Sequence, residues 1–180
     1  MGIFNRLKNV FVNGDYVGRD KYVYNAEPSQ LMLLQEEYQE EFKNRQTCTE
    51  MIGELNHYNT KKSEIRDLED KLRAAGYSSL LAQAQELKEL VSKLIVQYQH
   101  YRSAQKIIVF LLSDVHSIFQ YRIKPHIVNQ DQEVKILELI HLYIECELNR
   151  KLGINALEIY NRHLRGMVFF LTGNCHLEWE

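Results

Sequence analysis

The feature that most constrains this chain is an apolar stripe of unusual length. Leu81, Ala84, Leu87, Val91, Leu94, Tyr98, Tyr101, Ile108, Leu112, Val115 and Phe119 recur at three- and four-residue intervals or their multiples. That period places them on one face of an α-helix. The spacing predicts a single helix over residues 78–123, closed by Lys124-Pro125 because proline disfavours helix in the residue before it. At the rise of an α-helix it would be roughly 65 to 70 Å long. A helix of that length needs partners along its whole face, so the remaining elements must pack against it.

Those partners are legible in the same way. Leu31, Leu34, Tyr38, Phe42, Cys48, Ile52 and Leu55 predict one helix from Pro28-Ser29 to about Tyr58. Ser63 as cap, Ile65, Leu68 and Leu72 as buried edge and Gly76 as stop predict a shorter second helix. Residues 132–152 carry Val134, Leu137, Ile140, Ile144, Leu148 and Leu152 on one face, with Gly153 just beyond. A last helix capped by Asn155 presents Leu157, Tyr160, Leu164 and Val168, and ends in Met167-Val168-Phe169-Phe170-Leu171, apolar all round. Val168, Phe169, Phe170 and Trp179 are therefore expected to be covered, by the body or by a partner. The expected fold is mainly α, an antiparallel helical bundle with one long spine helix.

Residues 1–27 read differently. Ile3, Phe4, Leu7, Val10 and Phe11 suggest a short amphipathic stretch. Val12-Asn13-Gly14-Asp15-Tyr16 and Val17-Gly18-Arg19-Asp20-Lys21-Tyr22 are imperfect copies of one unit, suited to short strands and turns. The chain thus divides into an N-terminal β/turn element, 1–27, and a helical bundle domain, 28–180. An isolated hairpin is marginal in water, so the first piece needs a partner surface. Tyr16, Val17, Tyr22, Val23 and Tyr24 are the candidates for self-pairing between copies, since exposed strand edges recruit strands. The alternative is a membrane-directed effector, with Phe4, Leu7, Val10 and Phe11, flanked by Arg6 and Lys8, entering a bilayer when copies assemble.

Composition narrows the function classes. With 45% apolar and 26% charged residues in 180, the chain can bury a core without metal or disulfide. A net charge of −2 gives no general attraction to nucleic acid. Cys48, Cys146 and Cys175 are scattered and odd in number, which fits reduced thiols in a cytoplasmic protein. No apolar run approaches the length of a bilayer span. Gly14-x-x-x-Gly18 lacks the Lys-Ser/Thr pair of a phosphate loop. His141 with Glu145 reads as a polar pair on a helix surface, and Cys175-His176 as a buried thiol beside a hydrogen-bonded ring. Tyr98, Tyr101 and Tyr121 read as core and half-buried rings rather than a base-stacking platform, and Glu36, Glu37, Glu40 and Glu41 as a solvated face. No catalytic centre, cofactor or metal site is expected, and a nuclease built on His141 or His176 finds no supporting ligand set.

Two segments carry a resemblance. Asn13-Gly14-Asp15-Tyr16-Val17-Gly18-Arg19-Asp20-Lys21 looks like the short Gly-Asp element near the start of many bacterial effector and conflict-system proteins. Leu171-Thr172-Gly173-Asn174-Cys175-His176-Leu177-Glu178-Trp179 resembles the closing signature of the C-terminal helical domains of ABC-three-component conflict systems. Ser103-Ala104-Gln105-Lys106-Ile107 and Gly166-Met167 fit the same resemblance, which runs from about Pro28 to the end. It implies a role in prokaryotic defence against phages or mobile elements, linking sensor, ATPase and effector components without catalytic residues of its own. The expected partners are further copies of the chain and other proteins of the same system. In the closing signature, Gly173 and Asn174 are expected to turn the chain, with Cys175, Leu177 and Trp179 inward and His176 and Glu178 outward.

Overall fold

A computed structural model describes residues 28–61 and 66–180. The described residues are mainly helical and contain no strand. In chain order the helices are α1 Gln30–Lys43, α2 Gly53–Asn59, α3 Leu68–Ala74, α4 Leu81–Tyr98, α5 Arg102–Ile118, α6 Lys124–Val128, α7 Glu133–Ile140, α8 Glu147–Leu152 and α9 Asn161–Gly173. Wider π turns, Phe119–Ile123 and His141–Cys146, join α5 to α6 and α7 to α8. The assignments over residues 1–27, including Tyr16, Val17, Tyr22, Val23 and Tyr24, and those on Ser63 and Ile65, lie outside the described residues.

The spine is not one helix. Its apolar register continues unbroken, yet Tyr101 is extended, at φ −118° and ψ 117°, and separates α4 from α5. The carbonyls freed at this break find tertiary donors: the amide of Cys48 bonds His100 O at 2.7 Å and Gln105 Nε2 bonds Gln99 O at 2.5 Å. Gln105 is wholly buried, and its Oε1 also accepts from the amide of Ile52 at 2.6 Å. One glutamine therefore fastens the 44–52 loop to the start of α5, satisfying polar groups that would otherwise be buried without partners.

The first predicted helix is divided as well. Ser29 Oγ caps α1 by accepting from Met32 N at 3.2 Å, but α1 ends at Lys43 and Arg45 takes a left-handed φ of 54°. Glu41, read as a solvated side chain, accepts from Ser103 N and from Ser103 Oγ, the latter at 2.6 Å, and so caps the N-terminus of α5. α3 is capped by Asp67, whose Oδ1 accepts from Asp70 N at 2.9 Å, and stopped by Gly76 at φ +85°.

Pro125 does not end the second half of the spine. The chain widens into the π turn before it, where the amide of Lys124 reaches back to Phe119 O, and continues to Val128. A wider turn relieves the clash of a proline ring with the preceding turn, which is the usual reason that proline breaks a helix. Residues 133–152 form one rod through the second π turn and stop at Gly153, φ +58°. Val134 is exposed rather than on the buried face, while Ile136 and Leu139 are buried. Asn155 does not start the last helix; its side chain instead brackets Ile159, accepting from the amide and donating to the carbonyl, both at 2.8 Å.

The tightest helix pair is α4 with α9, and the reason is Gly166. A Cβ there would lie 2.6 Å from Leu87 O and 2.9 Å from Val91 Cγ2, so only glycine permits this approach. α1 packs on α5, and side chains from Leu31 in α1 to Trp179 beyond α9 join in one continuous core.

Candidate functional site

The closing signature forms a lock. Trp179 is fully buried, its Nε1 donates to Thr172 Oγ1 at 2.9 Å, and its ring stacks 6.2 Å from Phe169. Lys71 reaches in from α3 and is also fully buried. Its ammonium donates to Thr172 O at 3.1 Å and Leu177 O at 3.0 Å, and pairs with Glu178 Oε1 at 2.8 Å. A charge can be held in such a place only when its donors are used, as they are here. Cys175, Leu177 and Trp179 are inward as expected, but the left-handed residue is Cys175, φ 65°, and neither Gly173 nor Asn174. A Cβ on Gly173 would meet the flexible end of the Lys88 side chain at 2.8 to 2.9 Å, which can swing aside.

Val168, Phe169 and Phe170 are enclosed by the chain's own core, as is Trp179, so none of the four offers a face to a partner. Ser103, Ala104, Gln105 and Ile107 are buried too. Among the described residues, most of those that carry the family resemblance build the body, Lys106 being exposed.

What remains at the surface is more informative. Tyr38 of α1 meets Tyr98 and Tyr101 edge-on, at 5.8 and 5.4 Å, and Phe42 lies 6.0 Å from Tyr101. These four rings, with Gln39, Gln97, Ala156 and Glu158, line a hollow of about 540 Å³. Phe42 stands at its rim, 60% exposed. The Tyr98 hydroxyl donates to Leu157 O at 2.8 Å, and burial, reinforced by Tyr38 and Glu158, pushes its pKa up to about 12. Sequence periodicity put Tyr38 and Phe42 on one apolar face and read Tyr98, Tyr101 and Tyr121 as core or half-buried rings, but it could not bring α1 to the α4–α5 break, and Tyr121 is 79% exposed.

A second cluster sits on the π turn between α7 and α8. His141 Nδ1 lies 2.8 Å from Glu145 Oε2, and Arg165 Nε of α9 donates to Glu145 Oε1 at 2.5 Å. The Glu145 side chain is 3% exposed, so the expected surface pair is half internal. In a π turn, residues five apart stack, which sets Cys146 Sγ 3.6 Å from His141 Nε2. Arg162, Glu86, Gln83 and Asn161 line the adjoining hollow. Among the described residues no group of three or more His, Cys, Asp or Glu side chains is arranged to hold a metal ion, and no helix is long and apolar enough to cross a membrane.

A helical body closed by a C-terminal lock, with its most distinctive motifs consumed as packing, defines a mainly helical domain. Residues 67–179, from the cap of α3 to the buried tryptophan, match C-terminal domain 9 of the ABC-three component (ABC-3C) systems. The chain belongs to that family, a component domain of conflict systems. No curated protein and no solved structure matches it.

Proposed function

We propose that this chain is a non-enzymatic assembly module of its ABC-3C system, joining copies of itself and other proteins of that system. The observation that supports this reading best is the aromatic hollow at the α4–α5 break, where Phe42 is 60% exposed beside the half-buried ring of Tyr101, over the buried rings of Tyr38 and Tyr98. Tyrosine and phenylalanine are enriched at the centres of protein interfaces, because they bury much area at little entropic cost. The Val- and Tyr-rich segment 1–27 is assigned to pairing between copies through Tyr16, Val17, Tyr22, Val23 and Tyr24.

The test compares the full chain, a chain of residues 28–180 that keeps the Ser29 cap, and the exposed variant Phe42→Ser. Light scattering should give a defined oligomer for the full chain and a monomer for 28–180. Co-purification with the other proteins of the system should be lost for Phe42→Ser while the chain remains helical by circular dichroism. Equal masses for both chains, with unimpaired co-purification of Phe42→Ser, would remove the assembly reading.

A further inference from the structure

We propose that Cys146 and His141 are half of a soft-metal site, completed by the same pair from a second copy of the chain. Thiol and imidazole are within hydrogen-bond distance of each other, and their separation also suits two ligands on one tetrahedral ion. With Zn–S about 2.3 Å and Zn–N about 2.0 to 2.1 Å, a tetrahedral angle sets sulfur and nitrogen about 3.6 Å apart; here Cys146 Sγ and His141 Nε2 are 3.6 Å apart. In an ordinary α-helix residues five apart diverge around the axis, and the π turn is what brings these two into register.

The support behind the pair has the same character. A metal-bound imidazole commonly donates its other N–H to a carboxylate, which fixes the ring and its tautomer. His141 Nδ1 has that partner in Glu145 at 2.8 Å, and Glu145 is in turn buried and held by Arg165. The arrangement leaves the Nε2 lone pair directed to the side where the thiol lies. Both donors are open to an incoming ion, since Cys146 is exposed and the His141 side chain is 56% exposed.

Thiol, imidazole and carboxylate in this order also describe a nucleophile with its base and orienting group. That chemistry needs hydrogen-bond donors facing a developing oxyanion. The continuous helical rod 133–152 commits its interior amides to its own carbonyls, and the arginines of the adjoining hollow, Arg165 and Arg162, are engaged by Glu145 and Glu86. Metal binding requires only the two donors, with the thiol proton released to solvent as sulfur coordinates.

The remaining ligands are assigned to a second copy of the chain. No third ligating side chain joins the pair among the described residues, and residues 1–27 and 62–65 contain neither histidine nor cysteine. A two-fold axis through the ion supplies the same Cys and His again and yields a closed Cys₂His₂ site, the kind that serves structure. This contact is separate from pairing through residues 1–27, and either can fail without the other.

The experiment is a cobalt(II) titration of the reduced, metal-stripped full chain, followed by zinc competition. Expected are a thiolate-to-cobalt charge-transfer band, saturation at one ion per two chains and displacement of cobalt by zinc. Cys146→Ser should abolish the band with unchanged circular dichroism, and Glu145→Gln should weaken binding about 10- to 100-fold. A chain that gives no thiolate band overturns the proposal. So does a band that survives Cys146→Ser, which would place the metal on Cys48 or Cys175, or saturation at one ion per chain.

Discussion

At the residue scale, Gly166 and Tyr98 each hold one contact that no other side chain supplies. In Gly166→Ala the new methyl would sit 2.6 Å from Leu87 O, a backbone atom that cannot rotate away. Helix propensity favours alanine by at most about 1 kcal/mol, whereas forcing α9 from α4 costs about 1 to 3 kcal/mol and more where backbone must move. The close approach wins, and the melting temperature should fall by about 2 to 8 °C for a chain of this size. Tyr98→Phe leaves Leu157 O without its donor, at a cost of about 1 to 2 kcal/mol near neutral pH. The pH dependence follows from its raised pKa, about 12 against 10 for a free tyrosine. The folded state holds the phenolic proton more tightly than the unfolded state does. Stability from this source is therefore complete below pH 10 and declines as the pH rises from 10 towards 12. Denaturant titrations across that window should show the wild type losing stability more steeply than Tyr98→Phe.

At the element scale, the short α3 does more than its length suggests, because Lys71 ties it to the end of the chain. Lys71→Met keeps the stem but removes the donor shared by Thr172 O, Leu177 O and Glu178. Leu177 O would lose its donor, Thr172 O would keep the amide of Cys175, and Glu178, 35% exposed, would turn to water, so the variant should lose about 1 to 3 kcal/mol. Urea unfolding should report this as a lower midpoint at an unchanged slope. Lys71 also marks what the sequence could and could not disclose. Apolar spacing revealed the helical stretches that hold α4 with α5, α7 with α8, and α9, and Gly76 and Gly153 revealed where helices stop, because these are local properties of the chain. The role of Lys71 was not legible, since a lysine next to Leu72 in an amphipathic pattern reads as a solvated residue until its distant partners are placed. The same holds for Glu41 and Gln105, which cap and tie elements far away in sequence. The break at residues 99–101 was hidden for a related reason. Nothing in Gln99-His100-Tyr101 forbids a helix, and the break is stabilised by Cys48 and Gln105, which the local pattern cannot foresee. The Cys146–His141 juxtaposition was hidden too, because i,i+5 is a neighbour relation only in a π turn.

At the scale of the whole molecule, the family match begins at Asp67, the cap of α3, but the physical unit begins earlier. Leu31, Leu34 and Tyr38 of α1 and Leu55 of α2 lie in the same core as Trp179. α1 is also bonded across the body: Gln35 Nε2 donates to Leu152 O at 2.5 Å, and its Oε1 accepts from Ala156 N at 2.7 Å. Without α1 and α2 the face of α5 on which they pack would stand in water, and each large apolar side chain so uncovered forfeits about 1.5 to 3 kcal/mol. A chain of residues 67–180, although it spans the entire family match, should therefore fail to fold cooperatively. A chain of residues 28–180 should unfold in one transition. Thermal melts followed by circular dichroism and by tryptophan fluorescence distinguish the cases, because Trp179 reports the lock while the far-ultraviolet signal reports the helices. Coincident melts for 28–180, with a broad or absent transition for 67–180, would set the folding unit at Pro28. A sharp, coincident melt for 67–180 would mean that α1 and α2 are an appendage on a self-sufficient body, and that the aromatic hollow lies at a junction between two units.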